Sequence, residues 1–331
     1  MGEIYTKTAL ITGISGQDGA YLSKLLLSKN YKIIGVTRSH HEDNLSKLKR
    51  LGVDSDIIME ECDLLDISSI INMINKYKPD EIYNLAAQSS VGLSFTQPIG
   101  TINFNIVSVL NLLEAIRIIK PDVRFYQASS SEMYGKVTNL PVTVNTPMHP
   151  LSPYAISKAS AHWIVVNYRE SYGVYACNGV LFNHESFLRS NGFFVKKVLQ
   201  ETVRNQNNAN WVLKVGSIDI KRDFGYSPSY VEAMWLMLQA EKADDFIICS
   251  GKSITLRSII EYVFKKLDVS INKLVIDNDF MRPTDIEDIY GDNTPAKTKL
   301  GWQYDLDFYQ VLDVLIKEEL DFLDQKEVVN A

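Results

Sequence analysis

The chain has 331 residues, 46% of them hydrophobic and 22% charged, an ordinary globular composition with enough apolar mass for a large core. A formal net charge of -6 and a pI near 5.5, with lysines and arginines scattered rather than in runs, argue against a nucleic-acid or membrane surface. Cys62, Cys177 and Cys249 are an odd number without metal-ligand spacing, which argues against a disulfide framework or a zinc site and for reduced thiols.

The sequence opens without a charged-then-apolar leader, and no window approaches the roughly 18 apolar residues of a membrane span, so the expected location is the cytoplasm. Short apolar runs at 8–12, 33–36, 57–60, 81–86 and 124–128 alternate with longer amphipathic stretches. Strands alternating with helices predict parallel βαβ units, an α/β fold with a doubly wound parallel sheet and helices on both faces. From about Ser186 the pattern changes to a helix over 193–205, a strand over 211–215 and helices over 230–240, 256–267 and 308–323. This reads as a smaller mixed α/β lobe. The expected division is a dinucleotide-binding domain over 1–185, with some later segments returning to it, and a substrate lobe over 186–331. No Gly/Ser-rich linker separates them, so the two should pack closely and share a cleft.

The first strand runs into Gly13-Ile14-Ser15-Gly16-Gln17-Asp18-Gly19, a GxxGxxG turn opening a helix near Ala20. Glycines suit a backbone that turns tightly and approaches a pyrophosphate, while the helix N-terminus offers free N–H groups and a positive dipole end. Gly13, Gly16, Gln17, Asp18 and Gly19 are therefore candidate cofactor contacts. At the end of the second strand, Arg38 stands where an NAD enzyme of this type usually has an acidic residue for the ribose diol; its guanidinium suits a 2′-phosphate and favours NADP over NAD. Asp63 and Leu64, after the third strand, are placed to bracket the adenine. Leu85, Ala86 and Ala87, closing the fourth, border the cofactor.

Ser130 and Glu132 lie in a Ser-rich segment at the carboxyl end of the fifth predicted strand, where open α/β sheets place ligands. Tyr154 and Lys158 follow, four apart in a helix-compatible stretch, so both project from one face. An ammonium beside a phenol favours the phenolate, which makes the tyrosine a usable base near neutral pH. His162 and His184 lack ligand spacing and read as core or interface packing; no metal is expected.

Several segments together resemble the GDP-mannose 4,6-dehydratase family of extended short-chain dehydrogenase/reductases. They are TGxxGQDGxYL, NLAAQS, ASSSEMYG, SPYxxSK, Phe182-Asn183-His184-Glu185-Ser186, Lys221-Arg222-Asp223-Phe224-Gly225, the run from Tyr230 to Gln239, Arg282-Pro283-Thr284 and Lys299-Leu300-Gly301-Trp302. The resemblance spans nearly the whole chain. It implies a Rossmann-type domain and an internal redox cycle on a GDP-sugar. In that cycle Tyr154 takes the 4-hydroxyl proton, Ser130 bonds the 4-oxygen, Lys158 binds the nicotinamide ribose, and Glu132 removes the C5 proton and helps protonate the departing 6-hydroxyl. It also implies substrate contacts from Ser89, Asn183, Arg189, Lys197, Arg222, Arg282 and Asp285, and a homodimer or homotetramer.

Departures from the family pattern are specific. Ser186-Phe187-Leu188-Arg189-Ser190 stands where the family has SPRRG or SPLRG, in a loop that reaches a neighbouring subunit's cofactor. Leu151, Val144 and Ser229 replace a common arginine, glutamate and aspartate, and Asp285 replaces a glutamate. Several of these positions are expected on the substrate side, which leaves open an N-acetylglucosamine or a heptose on GDP. A C4 reductase, epimerase or 4-dehydrogenase on the same scaffold is the rival enzyme reading, and a non-catalytic NADP sensor the rival of a different class.

Overall fold

The computed structural model describes residues 5–39 and 45–330. Its first half runs β1 (Lys7–Thr12), α1 (Gln17–Ser28), β2 (Tyr31–Thr37), α2 (Ser46–Leu51), β3 (Ile57–Glu61), α3 (Ile67–Tyr77), β4 (Glu81–Asn84), α4 (Val91–Thr96), α5 (Pro98–Ile119), β5 (Arg124–Ser130), α6 (Pro153–Tyr172) and β6 (Ala176–Leu181). The second runs β7 (Asn183–Glu185), α7 (Phe194–Asn205), β8 (Leu213–Val215), β9 (Lys221–Tyr226), α8 (Ser227–Gln239), β10 (Phe246–Ile248), β11 (Ser253–Thr255), α9 (Leu256–Lys266), β12 (Leu274–Ile276), α10 (Thr294–Leu300) and α11 (Phe308–Asn330).

Seven strands form one parallel sheet in the order β10-β6-β5-β4-β1-β2-β3. Every residue of β4 and β6 is buried, as expected where helices cover both faces. The chain leaves β1 toward β2 and β3, then returns to β4 on the other side of β1. The carboxyl ends of β1 and β4 therefore flank the crevice where the crossovers diverge. A buried polar ladder runs beneath it: Thr12 donates to Asn84 at 2.5 Å, and Asn84 donates to Gln127 at 2.7 Å. Those bonds satisfy side chains that burial would otherwise penalise, and fix three strand ends side by side.

The smaller lobe is mixed, as the sequence pattern predicts. β9 pairs parallel to β7 and antiparallel to β11, while β8 and β12 form a separate parallel pair. Val198, Leu199, Ile259, Val263, Leu312 and Leu315 give it a core of its own. β10 returns to the large sheet beside β6, and α8 packs on α1.

The differences from the predicted elements have local causes. α1 begins at Gln17 rather than near Ala20, which brings Gln17 and Asp18 into the first helical turn. β4 stops at Asn84 because the N–H groups of Leu85 and Ala86 turn to the Thr12 hydroxyl, at 3.2 Å each. Contrary to the sequence expectation, α5 is long and apolar enough to cross a membrane. It buries Leu112, Leu113, Ala115 and Ile116, and packs on α3 and α6.

Candidate active site

Two adjoining cavities open at the carboxyl ends of the sheet, of about 680 Å³ and about 380 Å³. The larger is lined by the turn from Gly13 to Gly19, by Arg38, Asp63 and Leu64, and by Leu85, Ala86 and Ala87. All the sequence-predicted contacts of the dinucleotide loop and its surroundings thus share one wall. The turn needs its glycines. Gly13 has φ +68° and a Cβ there would meet Ala86 N at 2.8 Å; a Cβ on Gly19 would meet Gly13 O at 2.6 Å. Gly16 precedes α1 as its N-cap and brings no side-chain cap, so the first-turn N–H groups are free for an anion. A cradle that a methyl group would fill, ending on an uncapped helix, fits the diphosphate of a dinucleotide. Arg38 is exposed on this wall, and among the described residues no carboxylate pairs with it.

The smaller cavity brings Ser130, Glu132, Tyr154 and Lys158 together. β5 ends at Ser130, whose hydroxyl accepts from Glu132 N at 3.3 Å and starts the short 3-10 turn that aims Glu132. α6 starts at Ser152, which accepts from Ala155 N at 3.1 Å ahead of Pro153 at the first helical position. That start fixes Tyr154 and, one turn on, Lys158. Lys158 donates to Ala128 O at 2.8 Å, tying α6 to β5.

The electrostatics differ from the sequence expectation. Burial pushes the Tyr154 phenol up to about 12; a Ser130 hydrogen bond opposes this and the nearby Glu132 charge adds to it. The Lys158 ammonium lies 5.9 Å from the Tyr154 ring centroid and is directed to the Ala128 carbonyl. Burial instead lowers Lys158 itself to about 8. The Glu132 carboxyl is raised, by burial first, with Arg222 and Arg282 opposing and Asp285 reinforcing.

Ser89, Asn183, Arg189, Arg222, Arg282 and Asp285 line this cavity too, and Ser89 and Arg189 line both. Arg222 is nearly enclosed, donating to Lys221 O at 2.7 Å, to Ile286 O at 2.5 Å and to Asp285. Asp285 Oδ1 also accepts from Ile286 N at 3.0 Å, and Arg282 stands 3.8 Å away, so one oxygen of this expected substrate contact is already engaged. Lys197 does not reach the wall. Its ammonium sits 3.8 Å over the Phe280 ring and donates to Lys214 O at 2.7 Å, behind the cavity. Val144, Leu151 and Ser229 are off the wall as well. Leu151 packs in the cluster around Met133 and Val142, and the Ser229 carbonyl accepts from Trp302 at 2.9 Å.

Two of the predicted cofactor residues, Gln17 and Asp18, also tie the glycine turn to the second half of the chain through their side chains. The Gln17 amide accepts from Ser186 at 2.7 Å and donates to His184 O at 3.1 Å. Asp18 accepts from Ser227 at 2.7 Å and from His184 Nε2 at 2.9 Å. His184 Nδ1 meets the Phe182 carbonyl at 2.7 Å, so both ring nitrogens face acceptors and the ring is an imidazolium. Burial alone would lower His184, but Asp18 holds it above its usual value; burial would raise Asp18, but His184 holds it below. Spacing did not reveal this tie, because the partners are more than 160 positions apart in sequence. Asp223, from the KRD motif, is likewise structural: it accepts from Ser250 N at 2.8 Å, Ser250 Oγ at 2.6 Å and Gly251 N at 2.9 Å.

A family profile described as GDP-mannose 4,6 dehydratase matches residues 10–315. GDP-mannose 4,6 dehydratase 1 of Arabidopsis thaliana is 40% identical over 334 residues, covering 98% of this chain and 92% of its own. Among solved structures, the dTDP-glucose 4,6-dehydratase of Bacillus anthracis in complex with NAD superposes with a TM-score of 0.83 at 19% identity, covering 94% of this chain and 96% of its own. RMD of Pseudomonas aeruginosa complexed with NADPH superposes at 0.79 with 24% identity, covering 96% and 100%. At those identities the two structures speak for the fold.

Proposed function

Because the chain belongs to the GDP-mannose 4,6-dehydratase family, we propose that it converts GDP-mannose to GDP-4-keto-6-deoxymannose and water, as a nicotinamide-dependent lyase. The observation that carries this reading is the meeting of Ser130, Glu132, Tyr154 and Lys158 in a cavity that opens onto the glycine-loop cavity. The bound nicotinamide supplies a hydride acceptor for C4 and then a donor for C6, so it ends as it began.

The protein's own groups handle the protons. Tyr154 takes the proton of the 4-hydroxyl while Ser130 bonds the 4-oxygen, and Lys158 holds the adjacent ribose. A 4-keto group acidifies C5, and Glu132 removes that proton. Burial makes the Glu132 carboxylate a stronger base than a solvated one, and the acid so formed is placed to protonate the leaving 6-hydroxyl. Asn183 and Arg282 face the substrate diphosphate, with Asp285, itself bound by Arg222, standing 3.8 Å from Arg282. Val144, Leu151 and Ser229, being off the wall, supply no reason for a sugar other than mannose.

The test is incubation with GDP-mannose and no added NADPH, with product mass as the readout. Loss of one water without net cofactor turnover is expected. A product that keeps its 6-hydroxyl, or stoichiometric use of NAD(P)H, would instead select the reductase, epimerase or dehydrogenase reading.

NADP is proposed over NAD on the exposed Arg38, with which no carboxylate among the described residues pairs. A homodimer or homotetramer is proposed on the outward residues of the adjacent helices α5 and α6, where Ile99 is 84% and Trp163 59% exposed, beside Leu110 and Ile156. Light scattering that returned a monomer at micromolar concentration would refute it.

A further inference from the structure

His162 reads in the sequence as a packing residue, and the fold gives it a place in a series. Tyr154, Lys158 and His162 follow one another at four-residue steps along α6, which puts all three on one side of the helix. That side lies against the carboxyl end of β5. The Tyr154 phenol bonds Ser130, the Lys158 ammonium donates to the Ala128 carbonyl at 2.8 Å, and His162 Nδ1 meets the Ser129 hydroxyl, the residue between them, at 3.4 Å. The first two contacts belong to the chemistry already described, and the third has no part in it.

The surroundings decide which way that third bond runs. His162 and Ser129 are both buried. Burial lowers His162 below its usual value, with Asp245 opposing and Arg169 adding to the fall, so the ring is neutral and carries one N–H. Nε2 faces Asp245 Oδ2 at 3.6 Å, and an ionised carboxylate can only accept, so the proton sits on Nε2. Asp245 is itself fixed, by Arg169 at 2.7 Å and 3.0 Å and by Asn178 N at 2.9 Å. Nδ1 is left as an acceptor, and the Ser129 hydroxyl faces it. That hydroxyl also has the Met133 sulfur at 3.4 Å, but a thioether is the weaker acceptor. The ring is held from behind by Asp245 and holds Ser129 in front.

We propose that His162 is a positioning residue, which through Ser129 fixes the end of β5 and so sets the Ser130 hydroxyl, and the turn it starts, against Tyr154. Ser129 stands between the carbonyl that anchors Lys158 and the hydroxyl assigned to the 4-oxygen. Ser130 also accepts from Glu132 N at 3.3 Å, so a shift at Ser129 reaches Ser130 directly and Glu132 through its cap. Misplacing reacting groups costs rate, whereas Asn183 and Arg282 reach the cavity from other segments and keep their hold on substrate. The inference rests on the dehydratase reading of the site.

Steady-state kinetics on GDP-mannose, with single-turnover reduction of the nicotinamide, tests it in the full-length enzyme. His162→Phe keeps a buried ring without a nitrogen, and Ser129→Ala removes only the hydroxyl. Each is expected to lower kcat and the C4 oxidation rate by about fivefold to tenfold, the worth of one buried hydrogen bond, with KM for GDP-mannose and dinucleotide affinity as in the parent. The double variant should be no slower than either single one, because both remove the same bond. His162→Asn, whose amide falls near the place of Nδ1, should recover most of the rate, and His162→Gln, whose amide falls near that of Nε2, should not. A parent-like kcat in either single variant, losses that multiply in the double, a loss confined to KM or to the melting temperature, or recovery by glutamine alone would each overturn the assignment. A parent that failed to dehydrate GDP-mannose would remove the dehydratase reading and this inference with it. An active parent with indifferent variants would sink the inference alone.

Discussion

Glu132→Gln is expected to cut the dehydration rate by about 10² to 10⁴-fold, the range for loss of a positioned general acid–base group. Glutamine keeps the shape of the side chain but cannot take a proton from C5, and the 3-10 turn that aims residue 132 depends on the Ser130 hydroxyl and the backbone N–H, which the substitution leaves intact. The C4 oxidation should survive, since Tyr154 and Ser130 are untouched. The expected signature is a single-turnover absorbance of reduced nicotinamide without loss of water, and no solvent deuterium at C5 of recovered sugar. Removing the Glu132 charge also removes one of the influences that raise Tyr154, so oxidation should not slow for lack of base. Deuterium entering C5 at the parent rate would take the proton abstraction away from Glu132.

The pH dependence of that step has a definite sign. The Glu132 carboxyl is raised in the folded protein, and the base form must be ionised to act. Elimination should therefore fall as pH drops through a value above the ordinary glutamate range. Arg222 and Arg282 oppose the rise, so neutralising either should move that limb to higher pH.

Much of this arrangement is legible in the sequence because its decisive contacts are local. The glycine turn is set by seven consecutive residues between a strand and a helix. Tyr154 and Lys158 are one helical turn apart, and Ser130 caps Glu132 two positions on. The sheet was readable for the same reason, as buried parallel strands are continuous apolar runs. What stayed hidden depends on partners far apart in the chain. Gln17 and Asp18 stand in the cofactor turn, and only the folded chain shows that their side chains hold Ser186, His184 and Ser227. Lys197 looks like a substrate contact until Phe280 is seen between it and the cavity. Spacing places Tyr154 and Lys158 on one face but does not show that the ammonium turns to a carbonyl, nor that burial raises the phenol.

Tyr154→Phe is the complementary expectation, a fall of about 10² to 10⁴-fold in the first half-reaction, from which the dehydration cannot recover. Phenylalanine keeps the buried ring and loses only the hydroxyl that faces Ser130, so the fold and dinucleotide affinity should hold while C4 oxidation disappears. Neither reduced nicotinamide nor C5 deuterium should appear, which distinguishes this variant from Glu132→Gln. The parent's oxidation rate should climb with pH through the neutral range, since the phenol sits near 12 and each step upward enlarges its ionised fraction. Above about 8 the rise should flatten, because Lys158 then loses the positive charge that helps hold the reacting groups. The phenylalanine variant should show no such rising limb. If it kept that limb, with oxidation at the parent rate, the proton of the 4-hydroxyl would have to leave by a group other than Tyr154.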